Sequence, residues 1–206
     1  MTPDEILEIF IEQHRICSPL DPEAEPSVEL SMTSSIDEWR NANDLLPWKP
    51  LSEFLNAEFN INVTEDEWKA VLTPPSKRTL KHVCELISKH VQCEDIKPKK
   101  FFGQECLSAA VFLTLKKLLE RRAVDVSNLK PSSLVSPYFE RYFPAMVEQT
   151  TIISKGKKVI DKFDLKLKKK GFFNYINIFD KDRYNILTGD IKTFRDLTMK
   201  IIEANK

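Results

Sequence analysis

With 206 residues, 42% of them hydrophobic and 10% aromatic, the chain has the apolar mass for a packed core, which excludes a disordered tail and suits one domain or two small ones. Four glycines against 12 prolines leave little of the turn chemistry that tight hairpins need, so the composition predicts an all-α fold. The formal net charge is zero, yet residues 1–70 hold 16 acidic against 4 basic side chains and the remainder 15 against 27. That contrast suits docking of two halves, head-to-tail association or an anionic partner for the basic half, and two solvated faces of opposite sign would also explain it.

In chain order, Thr2, Pro3, Asp4 and Glu5 supply a cap, a first-turn proline and carboxylates at the positive end of a helix, and Ile6, Leu7, Phe10 and Ile11 follow at helical spacing. An acidic amphipathic start lacks the basic region and apolar core of a signal peptide, so a cytoplasmic protein is expected, with Cys17, Cys84, Cys93 and Cys106 as reduced thiols. Residues 18–35, rich in Pro, Glu and Ser, read as a long loop. Pro50 fits the first turn of a helix striped by Leu51, Phe54, Leu55 and Phe59.

Next comes INVTEDEWKAVLT (61–73), which recurs in degenerate form as INIFDKDRYNILT (176–188). In each copy an Ile-Asn-aliphatic run precedes an acidic turn that could start a helix. A further helix begins at Thr79 in one copy and Thr193 in the other, with Leu80, Val83, Cys84 and Ile87 matching Phe194, Leu197, Thr198 and Ile201. Between the copies, residues 106–122 form the strongest helix, apolar on nearly every side, and the aromatic run Tyr138, Phe139, Tyr142 and Phe143 ends at Pro144. Residues 154–170 are ambiguous. Ile160, Phe163 and Leu167 fit a helix, whereas Phe163, Leu165 and Leu167 fit a strand, and a helix is expected. No apolar run reaches the ~20 residues of a membrane span.

The text EFNINVTEDEWKAVLT resembles the second half of an acyl carrier protein: a helix ending in Phe, an isoleucine-containing loop, an acidic short helix, a Thr and a final amphipathic helix. Upstream, residues 4–15 and 107–122 would be the first helix of each copy, and Leu129-Lys130-Pro131-Ser132-Ser133-Leu134 is similar to the start of that family's long first loop. The resemblance implies two tandem helical-bundle units, 1–95 acidic and 96–206 basic. It also implies that the arm-bearing serine of the family's Asp-Ser-Leu is replaced, because that triplet falls on Asp44-Leu45-Leu46 in the first copy and near Ile160 in the second. No cofactor is then expected. What the resemblance leaves is a non-enzymatic docking or scaffold module, its partner another protein or a second copy held through the opposite charges of the halves.

Other constellations point elsewhere. His82, Cys84, His90, Cys93 and Cys106 have zinc-ligand chemistry, but at about 100° per residue only His90 and Cys93 share a helical face, so no metal site is expected. Lys155, Lys157, Lys158, Lys162, Lys166, Lys168, Lys169 and Lys170, followed by Phe172, Phe173 and Tyr175, form a candidate anion-binding patch for nucleic acid, or equally a solvated lysine face. There is no phosphate-binding glycine loop, no G-x-S-x-G and no H-E-x-x-H, so no catalytic residue is assigned, and a cofactor-independent enzyme remains an alternative.

Overall fold

The computed structural model describes residues 1–92, 96–101, 104–167 and 184–206. Five helices build the first half: α1 (Pro3–Cys17), α2 (Ile36–Ala42), α3 (Trp48–Phe59), α4 (Glu65–Leu72) and α5 (Leu80–His90). Four of them, α1, α2, α4 and α5, start where a side chain provides for the unpaired N–H groups, whereas α3 follows Pro47 with no side-chain cap. Thr2, Ser35 and Thr64 accept from the amide three residues on, and Glu5, Glu38 and Glu67 reach back to the cap amide, a reciprocal pair of bonds at each helix start. At α5 the imidazole of His82 takes the glutamate's place, accepting from the Thr79 amide at 3.2 Å. α3 ends at Asn60, which takes a left-handed conformation (φ 51°) suited to a helix C-terminus. The apolar faces converge on one core in which Ile6, Ile9, Ile36, Leu51, Leu55, Trp68, Leu72, Leu80 and Ile87 are wholly buried, each worth about 1.5–3 kcal/mol.

The second half contains a short antiparallel pair, β1 (Lys99–Phe101) with β2 (Gln104–Cys106), then α6 (Leu107–Arg121), α7 (Ser136–Ile153), a second antiparallel pair β3 (Asp164–Leu167) with β4 (Tyr184–Leu187), and α8 (Phe194–Ala204). α7 runs through Pro144 and bends at Tyr142 (φ −129°, ψ 39°), two residues before the proline whose ring would collide with the preceding turn. Its core is aromatic. Phe139 lies 5.0 Å from Phe163 and Phe143 5.1 Å from it, both edge-on, and Tyr138 stands edge-on to Phe194 at 5.0 Å.

Both halves share one device. In the first, the Ile36 amide donates to Arg78 O and the Leu80 and Lys81 amides donate to Ser34 O and Met32 O; in the second, Val135 donates to Lys192 O and Phe194 and Arg195 donate to Ser133 O and Pro131 O. The starts of α2 and α5, and of α7 and α8, are thus laced by the same three bonds. The first helix of each half packs on its last, α1 on α5 and α6 on α8. Where the first half breaks between α2 and α3 at Asn43, the second bends within α7 at Tyr142.

The expectation of a mainly helical chain holds, with two short strand pairs added. Two local readings are corrected. Residues 157–163 are irregular and 164–167 form β3, not a helix, because Val159, Ile160 and Phe163 enter the core from extended chain; residues 168–170 lie outside the described residues. Tyr184–Leu187 is a strand where its counterpart in the first copy lies in α4, and residues 176–183 of that copy also lie outside. Among the described residues no helix is long and apolar enough to cross a membrane.

Candidate functional site

The two halves meet along α1, α3 and α7, and the seam combines apolar contacts with several charged side chains. Ile16 at the end of α1 belongs to the second core, while Ile152 at the end of α7 packs against the first. Arg15 grips Glu12 through two bonds of 2.6 and 2.7 Å and donates to the carbonyls of Ile160 and Asp161. Lys155 pairs with Glu5 at 3.0 Å. Gly156, at φ +75°, lies so close to α1 that a β-carbon would run into the backbone of Glu8 and Ile9.

Deeper in the seam, Glu58 on α3 and Glu148 on α7 line a cleft of about 250 Å³ between the halves. Its walls are Phe10, Trp39, Leu45, Phe54, Phe143 and Val147. A second, more open groove of about 450 Å³, lined in part by Asp21, shares Cys17, Asn43 and Phe143 with the cleft. Both carboxylates are almost fully buried, at 3% and 4% exposure. Gln13 Nε2 donates to Glu58 Oε1 at 2.6 Å and to Thr151 Oγ1 at 3.0 Å, and Gln149 Nε2 donates to the Glu58 carbonyl at 3.3 Å.

Arg122, just past the end of α6, is the counter-charge. Its Nε stands 2.8 Å from Glu148 Oε2, and its guanidinium lies 5.7 Å from the centre of the Phe54 ring. That pairing occupies Glu148 Oε2, while Glu148 Oε1 is buried with no hydrogen-bond partner among the described residues. Burial pushes the Glu58 carboxyl up to about 8, with the negative charge of Glu148 adding to it and the Gln13 bond and Arg122 opposing. Burial raises Glu148 too, against the pull of Arg122. Both shifts favour the protonated form, in which a carboxyl can donate as well as accept. Burial and the nearby carboxylates raise the Cys17 thiol to about 12, which leaves it unreactive.

These residues were not singled out from sequence, although a signal existed. Glu58 lies four residues after Phe54 and three after Leu55, on the apolar stripe itself, and Glu148 sits inside the run Ala-Met-Val-Glu-Gln-Thr-Thr-Ile-Ile. A carboxylate on a buried face needs an explanation in a way an exposed one does not.

Of the lysine patch, Lys155 pairs with Glu5, Lys158 with Asp161 at 2.9 Å and Lys162 with Asp164 at 3.1 Å; Lys157 is exposed. Lys166 lies on β3 opposite Asn185, while Lys168, Lys169 and Lys170, with Phe172, Phe173 and Tyr175, fall outside the described residues. Among the zinc-type residues Cys84 is buried in the first core and His90 stands 3.7 Å from Glu67; no group of three candidate ligands converges among the described residues, and Cys93 is outside them. Leu45 is half-buried against the first core, in the loop that leads into α3, and Ile160 is buried in irregular chain. No protein-family model, curated protein or solved structure matches this chain.

Proposed function

We propose that the chain is a non-enzymatic docking or scaffold module built from two acyl-carrier-like units that carry no arm. The observation that supports this reading most is Leu45. At the position where the resemblance puts the modified serine, a hydrocarbon side chain packs inward, and a side chain without a hydroxyl has nothing to phosphopantetheinylate. Recurrence of the same backbone lacing at the helix starts of both halves supports the two-unit part. The partner is another protein, since acidic α1 already spends part of its charge internally, Glu5 on Lys155 of the second half.

Intact-mass measurement after co-expression with a phosphopantetheinyl transferase tests the proposal. An unchanged mass is expected. Addition of an arm, at Ser34 or Ser35 before α2 or at Ser132 or Ser133 before α7, would make the protein a carrier and overturn it.

A further inference from the structure

The seam between the halves holds one more carboxylate than it has cations. Glu58 and Glu148 line the cleft, and Arg122 is the guanidinium beside them. Facing them from α1 is Gln13, which donates to Glu58; Glu12 and Arg15 of the same helix pair with each other. Glu148 Oε2 is ion-paired with Arg122, and its buried Oε1 has no hydrogen-bond partner among the described residues. The remaining walls are apolar and aromatic, with Phe10, Trp39, Phe54 and Phe143 around an open volume.

We propose that this cleft is a binding site for a small aliphatic ammonium ion, whose N–H groups donate to Glu58 and Glu148 while its hydrocarbon part lies against the aromatic walls. Three features select that chemistry. Two carboxyl groups beside one guanidinium, with Glu148 Oε1 lacking a hydrogen-bond partner among the described residues, call for a cation with several donors, which a primary ammonium has. Aromatic faces suit an organic cation and its hydrocarbon, whereas a metal ion needs more oxygen ligands than two carboxylates supply. The volume lies below the roughly 300–1,000 Å³ typical of drug-sized ligands, so the ligand is compact. Asp21, which lines the adjoining groove, adds a negative charge nearby.

Burial raises the Glu58 carboxyl, so an ammonium ion that binds beside it favours the carboxylate and shifts the proton toward solvent. Binding therefore carries a proton signature that a merely greasy crevice would lack. The site is independent of the docking reading: it concerns the seam, and the absence of an arm neither helps nor harms it.

The test is calorimetric titration of the full chain with n-hexylammonium chloride at pH 7, in two buffers of different ionisation enthalpy, with hexan-1-ol and hexanoate as comparison ligands. Saturable binding of the amine is expected, at least tenfold tighter than of the alcohol, with hexanoate silent and a net release of protons. Its NMR footprint should include the Trp39 indole N–H and spare that of Trp68, which is bonded to Asn56. Glu58→Gln should weaken the amine at least tenfold and abolish the proton release. Equal affinity for amine and alcohol, no saturable amine binding, or a footprint away from Trp39 would overturn the proposal. Should the variant fail to fold, proton release and amine selectivity in the unaltered protein still decide.

Discussion

Glu58 shows how one side chain can work against the structure that contains it. Its carboxyl releases a proton near 4.5 when exposed and near 8 in the fold, so between those values the unfolded chain has lost a proton that the folded chain still holds. With the folded value raised, the contribution to stability is complete below about pH 4.5 and declines as the pH rises to about 8, by up to ~1.4 kcal/mol per pH unit. Glu148 acts in the same direction. Glu58→Gln keeps an acceptor for Gln13 and removes the titration. Thermal unfolding followed from pH 5 to 9 should show a shallower decline for the variant and a higher melting temperature than the unaltered protein at pH 8–9; parallel curves would show that Glu58 is not held protonated. This residue was legible in the sequence only as a carboxylate on an apolar stripe. Its partners could not be read there, because Glu148 is 90 positions away and nothing local brings α7 against α3.

Among the elements, helix boundaries were the most legible feature, since caps and apolar stripes are local. Thr2, Thr79 and Thr193 each stand immediately before the helix their sequences announce. Thr193 receives the Asp196 amide on its hydroxyl at 3.3 Å, and its own amide donates to the Asp196 carboxylate at 2.8 Å. That bonding, led by the Thr193 backbone amide, holds the Asp196 carboxyl below its usual range. Thr193→Ala leaves the backbone lacing to residues 131–135 in place and removes the capping hydroxyl together with its γ-methyl, so it should lower stability by about 1 kcal/mol, read as a shifted urea midpoint at constant slope. A loss within error would mean that the lacing alone positions α8. The strands were the illegible elements. Ile160, Phe163 and Leu167 satisfy a helical period, yet Ile160 and Phe163 are buried from extended chain, and β3 is decided by its pairing with β4, about twenty residues later. Likewise WKAVLT and YNILT look alike, yet one lies on α4 and the other on β4, since short apolar runs take the conformation their surroundings impose.

At the scale of the molecule, the two cores interlock rather than merely touch. Ile16 crosses from α1 into the second and Ile152 from α7 towards the first, Arg15 holds the carbonyls of residues 160 and 161, and Gly156 lets the chain leave α7 flat against α1. Gly156→Ala places a β-carbon against backbone at a left-handed residue and should cost roughly 2–4 kcal/mol. With the halves keyed together, the variant should still unfold in a single transition whether followed by tryptophan fluorescence, which reports Trp39, Trp48 and Trp68 of the first half, or by far-ultraviolet circular dichroism, which reports both. Two separated transitions in the unaltered protein would show that the halves fold independently. What the sequence by itself determined is what depends on neighbours along the chain: the mainly helical class, the helix starts and their apolar faces, and the want of a hydroxyl at Leu45. The tertiary structure alone decided the bend and reach of α7, the two strand pairs, and the buried meeting of Glu58, Glu148 and Arg122. The reason is physical: a cap or a stripe is settled within a few residues by hydrogen bonding and period, whereas a carboxylate pair at a seam exists only once distant helices have packed and water has been removed from between them.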